Sequence, residues 1–315
     1  MRNIVPLSGG KIESLGVSAI HFPFQEFVLS SVPSIFNPHD LAHLHLPQFF
    51  SPDNIMRREV LYRFACQVAQ RVAVASEWVA RDISTNYSIA RSKIAVIPWG
   101  AATAGEPTPT SADIDKLRSK YQLPREFVFY PAVAWPHKNH VTLLAALSLL
   151  KEQGNQTCLV CSGARTDLTS ELEKRAEGLG VRDRVQFLNA VPQRDMRGLY
   201  RAALGVVVPT LFEALSGPMA EAWQEGIPVA CSDIPQLREQ GADAVLLFQP
   251  LSPASIAETL HLLTSDPKKR QHLIARGLEK IAGMDWTNAA RQYRELYRDV
   301  VKETRPGGII SSEFA

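Results

Sequence analysis

Residues 206–233 read VVVPTLFEALSGPMAEAWQEGIPVACSD, and this stretch decides the fold. The β-branched run Val206, Val207, Val208 stops at Pro209, as a buried strand does. A polar loop follows. Pro218 suits the first turn of a helix, where an N–H lacks a partner in any case. The helix continues from Met219 to Glu225, Gly226 caps it, and residues 227–231 form the next strand. In such a strand–loop–helix–strand unit, ligands bind at the carboxyl end of the first strand. Glu213 stands on the loop there. Glu221 follows with seven residues between them, about one turn into the helix. Ser216 and Gly217 bring backbone N–H groups to the helix N-terminus, where free donors and the helix dipole attract phosphate. The loop can therefore hold a phosphate while the carboxylates accept hydrogen bonds from hydroxyls, in which sugars and riboses are rich.

The same alternation extends outward in both directions. On the N-terminal side, strands are expected at 17–22, 31–36, 72–76 and 94–98, with helices at 52–70 and 78–87. The longer helix carries Ile55, Leu61, Phe64, Ala65 and Val68 on one face. Residues 101–111, rich in Ala, Thr, Pro and Gly, read as a linker. Beyond it, strands at 127–133, 157–162, 185–188 and 244–248 alternate with helices at 112–121, 141–153, 168–179, 195–202, 253–263, 267–282 and 286–302. Alternating strands and helices predict an α/β fold with parallel sheets.

The 315 residues suit two domains, and 45% hydrophobic with 21% charged residues is ordinary for a globular chain. A net charge of +2 without a dense Lys/Arg run argues against nucleic acid. No apolar run reaches bilayer length and no secretory leader is evident, so a cytoplasmic protein is expected. Cys158 and Cys161 form a C-x-x-C without a second ligand pair, which reads as thiols in a strand rather than a zinc or redox site. His39, His43 and His45 cluster, but His43 and His45 alternate on a segment read as extended and only Asp40 is near, so no metal is expected.

The quoted stretch resembles the E-x7-E signature of the group 1 glycosyltransferases, glycosyltransferase family 4, whose members usually read E-G-F-G-L-P-x-x-E-A. Here the residues are EALSGPMAEA, from Glu213 to Ala222. The likeness runs through HDL at 39–41, VAVAS at 72–76, IPWG at 97–100, WPHKNH at 135–140 and NAVP at 189–192. It implies a GT-B fold of two Rossmann-like domains and a retaining transfer of a hexose-type sugar from a nucleoside diphosphate sugar to an acceptor hydroxyl. By that resemblance Glu213 holds the donor sugar, His39 touches it, and Lys138 binds the diphosphate. Glu221 holds the ribose, Ser216, Gly217 and Pro218 form the nucleotide-sugar loop, and Val191 meets the base. Ser76 is either a cleft-facing serine, as in the family, or the cap of the helix that follows it. The arginine that most members carry about five residues before the lysine is replaced by Ala132 or Val133.

The resemblance divides the chain into an acceptor-side domain at 1–100, a linker at 101–111 and a nucleotide-sugar domain at 112–284. A helix at 285–303 crosses back to the first domain, and a loose tail occupies 304–315. The first domain is short: the family's opening strands and its glycine-rich acceptor loop are not found, which makes this domain incomplete and leaves a sheet edge open. The implied partners are a nucleotide-sugar donor and a saccharide or lipid-linked saccharide acceptor, the latter bringing the protein to the inner face of the membrane. No cofactor is expected. The setting implied is cell-envelope polysaccharide or glycoconjugate synthesis. An inactive sugar-nucleotide-binding module is the alternative, motivated by the short first domain. A GT-B sugar-nucleotide epimerase is a third reading, which the E-x7-E spacing disfavours.

Overall fold

The structure, a computed structural model, describes residues 5–303. The tail expected at 304–315 lies outside the described residues. The chain forms two compact units. One combines the described parts of Met1–Trp99 and Trp286–Ala315, and the other is Gly100–Asp285.

In the first unit β1 (Ile20–Phe22) and β2 (Ser34–Phe36) lead into a short helix α1 (Ala42–His45) and the long α2 (Pro52–Val68). β3 (Arg71–Val74), α3 (Glu77–Tyr87) and β4 (Ile94–Val96) follow. The four strands are parallel and lie in chain order, β1-β2-β3-β4. Each is shorter than the alternation predicts, because the pairing stops where the chain turns into loops. Helix α2 buries Leu61, Tyr62, Ala65 and Cys66, whereas Val68, expected on the apolar face, is 39% exposed at the helix end. Ser76 accepts a hydrogen bond from the Val79 N–H and caps α3.

The second unit opens with α4 (Ser111–Tyr121), then β5 (Phe127–Pro131), α5 (His140–Glu152), β6 (Cys158–Ser162), α6 (Asp167–Gly178) and β7 (Val185–Phe187). Next come α7 (Gln193–Ala202), β8 (Gly205–Val208), α8 (Gly217–Gln224), β9 (Val229–Ser232), α9 (Pro235–Gly241) and β10 (Val245–Phe248). Helices α10 (Pro253–Ser265) and α11 (Pro267–Ile281) end the unit, and α12 (Trp286–Glu303) belongs to the first. The six strands are parallel in the order β10-β9-β8-β5-β6-β7. This is the doubly wound order, whose direction reverses between β5 and β8.

Burial follows from strand geometry. Successive side chains point to opposite faces, and helices cover both faces of the second sheet. Along β5, Val128 and Tyr130 enter the core shared with α5 and α10, while Phe127 and Phe129 enter the core shared with α7 and α8. Helix α8 ends as its sequence predicts: Gly226 takes φ +67°, and the Ile227 N–H closes back on the Ala222 carbonyl. In the first unit, Ala289, Leu296 and Val300 of α12 pack on Ile35, Ala73 and Ile97.

Candidate functional site

The reversal of strand order between β5 and β8 leaves a crevice at their carboxyl ends, where α/β sheets bind ligands. The chain sutures the two loops there. The Leu211 N–H and the Thr210 hydroxyl both donate to the His137 carbonyl, at 2.8 and 3.2 Å. Asn139, in the left-handed conformation at φ +58° that asparagine tolerates, donates its side-chain amide to the carbonyls of Pro209 (3.0 Å) and Pro250 (2.7 Å). The Tyr130 hydroxyl donates to the Lys138 carbonyl at 2.8 Å. Gly163, just after β6, packs against the backbone of the loop after β5. A Cβ there would come within 2.7 Å of the Ala132 backbone, and its φ of +155° suits only glycine.

These sutures bring Lys138 and Glu213 together. Lys138 Nζ lies 2.6 Å from Glu213 Oε2, and both side chains are largely shielded from solvent. They share a cavity of about 260 Å³ with Tyr130, Pro131, Ala132, Val133, Trp135, Val208 and Pro218. His137 and His140 flank the lysine. Burial, aided by the nearby Lys138 charge, holds each imidazole down to about 4, so both are neutral at neutral pH.

The N-terminus of α8 closes one side of the site, with Pro218 in its first turn. One expectation is corrected here. The Ser216 N–H, expected to face a phosphate, donates to Gln240 Oε1 at 2.7 Å, and Gln240 Nε2 returns a bond to the Ser216 carbonyl at 2.9 Å. The side-chain amide fits the Ser216 backbone from both sides, so that donor is spent on holding the loop. The groups left over are the Ser216 hydroxyl, buried without a partner among the described residues, and the Gly217 N–H at the head of the helix. Both suit an anion acceptor.

Glu221, on α8, is not among the residues lining the cavity. Its Oε2 accepts the Tyr200 hydroxyl at 2.5 Å, and the Ala102 backbone N–H donates to the same carboxylate. Burial raises its pKa, while these two bonds oppose the rise. Tyr200 is fully buried against Phe129, with ring centroids 5.2 Å apart. Sequence reading missed Tyr200 and Gln240: each reaches its partner from more than twenty residues away, and no spacing rule links them. Val191 lies half-buried on the core beyond β7 and is not among the residues lining the cavity.

His39 belongs to the first unit. It holds φ +65°, an unusual value for histidine, its Nε2–H meets the Pro23 carbonyl at 2.8 Å, and its ring lies edge-on to Trp99. The segment after it is not extended, as expected, but forms α1. His43 and His45 therefore serve separate partners: buried His43 faces Glu59 at 3.4 Å, and His45 lies 2.9 Å from both Asp82 oxygens. Among the described residues no group of three or more His, Cys, Asp or Glu could hold a metal ion. Cys158 and Cys161 are free thiols.

The profile of the family "Glycosyl transferases group 1" matches residues 113–280, and that of "Glycosyltransferase Family 4" matches residues 13–104. The O-antigen chain mannosyltransferase B of Escherichia coli is 27% identical over 266 residues, which cover 82% of this chain and 68% of that protein. A D-inositol 3-phosphate glycosyltransferase of Frankia alni is 36% identical over 139 residues, covering 44% of this chain and 34% of the relative. The chain thus spans about a third to two thirds of these curated relatives. The Anabaena protein Alr3699/HepE, solved with UDP and glucose, has the same fold, with a TM-score of 0.77 at 18% identity over 92% of this chain and 81% of its own. No described helix is long and apolar enough to cross a membrane.

Proposed function

The chain belongs to the group 1 glycosyltransferases, and on that premise we propose that it moves a sugar from a nucleoside diphosphate sugar to an acceptor hydroxyl with retention at the anomeric carbon. The observation that carries this reading is the Lys138–Glu213 pair, held at 2.6 Å in a cavity at the switch point. An ammonium and a carboxylate side by side match the two ends of a sugar diphosphate. The carboxylate accepts hydrogen bonds from the sugar hydroxyls, and the ammonium meets the diphosphate.

In the reaction the bond from the anomeric carbon to the diphosphate oxygen breaks and a bond to the acceptor oxygen forms. Negative charge grows on the leaving diphosphate, and we assign Lys138, the Ser216 hydroxyl and the Gly217 N–H to stabilising it. Preset donors aimed at developing charge are a large catalytic term. The acceptor proton passes to the departing diphosphate, so no separate base is needed. Glu221 holds the ribose hydroxyls, with Tyr200 fixing its carboxylate. His39 is proposed as a further contact to the donor sugar, and Val191 as the contact to the base. Likeness to an O-antigen mannosyltransferase supports a place in cell-envelope polysaccharide or glycoconjugate synthesis, with a saccharide or lipid-linked saccharide as acceptor.

The test is transfer itself. The protein is assayed with a panel of nucleotide sugars and acceptors, and the anomeric configuration of the product is read by NMR. Turnover with retention, lost in Glu213→Gln, supports the proposal. Binding of nucleotide without turnover in any pairing removes the enzyme and leaves a binding module.

A further inference from the structure

Trp135 is 53% exposed, yet it lines the same cavity as Lys138 and Glu213. Its support is rigid. Ala134 before it is buried, and the Ala134 carbonyl accepts the Thr166 hydroxyl at 3.1 Å. The Trp135 N–H closes on the Val133 carbonyl, and the Trp135 carbonyl accepts the Lys138 N–H at 2.9 Å. Pro136 then fixes the start of the turn over residues 136–138. The ring is thus a platform with two torsions, and little freedom is lost when a ligand covers it.

We propose that the Trp135 indole stacks on the apolar face of the donor's sugar ring and so contributes to recognition of the transferred sugar. The inference rests on the transferase reading above. The cavity is two-sided: Ala132, Val133, Trp135, Val208 and Pro218 form an apolar wall, while Lys138 and Glu213 supply the charged groups. A hexose is two-sided in the same way, with a face of C–H bonds and an edge of hydroxyls. The face of an aromatic ring carries negative charge density and attracts the slightly positive C–H hydrogens. Glu213 shares the cavity, so the ring meets the sugar and not the base.

Calorimetry on the full chain tests this with two ligand pairs, UDP-glucose against UDP and GDP-mannose against GDP, in wild type, Trp135→Ala and Trp135→Phe. The expected result is an approximately ten-fold weaker affinity of Trp135→Ala for the nucleotide sugar that wild type binds, with the matching diphosphate changed by less than about two-fold. Trp135→Phe retains most of the affinity. Equal weakening for sugar nucleotide and diphosphate would assign the indole to the nucleotide and overturn the inference. Unchanged affinity for both would overturn it as well while leaving the transferase reading intact. A wild-type protein that ignores all four ligands removes the transferase reading and this inference with it.

Discussion

Among single residues, what matters is which polar groups are already satisfied. Lys138 and Glu213 satisfy each other, so a donor must take both over at once. Removing either leaves the other's charge without its partner in a shielded site. Glu213→Gln and Lys138→Ala should each lower kcat by about 100-fold or more, the loss seen when one charge-stabilising group is deleted. Steady-state kinetics with the active donor checks this. Glu221 gives a prediction in pH. Its ionised form, with both oxygens as acceptors, is the stronger partner for the proposed ribose hydroxyls, and burial raises its pKa above the ordinary 4.5. Nucleotide affinity should therefore fall as pH falls through a range above that of an ordinary glutamate. The Tyr200 hydroxyl lowers this pKa, so in Tyr200→Phe the fall should begin at higher pH. Affinities measured from neutral pH downward, in wild type and Tyr200→Phe, check the sign. A shift to lower pH would contradict it.

At the scale of elements, the local signals that punctuate the chain were legible and the cross-links between elements were not. Pro218 and Gly226 mark the start and end of α8 because proline and glycine dictate backbone geometry on their own. Helix α9 went unread because its seven residues carry too short an apolar pattern to recognise. The helix α1 reads as extended because histidines at alternate positions mimic a strand, and the partners of those histidines, half-buried Glu59 and buried Asp82, lie far along the chain. The pair Glu213 and Lys138 was legible as two motifs, whereas their contact depends on strand order. An ion cluster around buried Glu225 likewise joins α7 to the end of α8. Glu225, with no exposed side-chain surface, accepts Arg197 Nε and Arg201 Nε, each at 2.6 Å, and Arg197 also donates to the Glu106 carbonyl. Glu225→Ala leaves the Arg197 charge buried and unpaired. It should destabilise the protein by about 3–5 kcal/mol in urea unfolding, whereas a surface glutamate on a helix gives a change near zero.

At the scale of the whole molecule, the two units share parallel α/β construction but differ in what their sheets offer. The strands of the first lie in chain order, while the reversal in the second creates the crevice that the motifs line. The second unit also carries a pH liability. His137 and His140, ordinarily near 6.5, are held to about 4 by burial. The unfolded chain binds protons first, so their contribution is intact above pH 6.5 and is lost as pH falls from there through about 4. For the buried His140 the loss is on the order of 3 kcal/mol. Thermal midpoints should drop across that window, and His140→Gln should flatten the drop. The central claim is that the cavity between the loops after β5 and β8 holds the diphosphate of an activated sugar. Calorimetric titration of UDP, GDP and ADP into wild type and Lys138→Ala tests it most directly. At least one diphosphate should bind wild type and bind Lys138→Ala about ten-fold or more weakly. Equal binding to both proteins, or none to either, would contradict it.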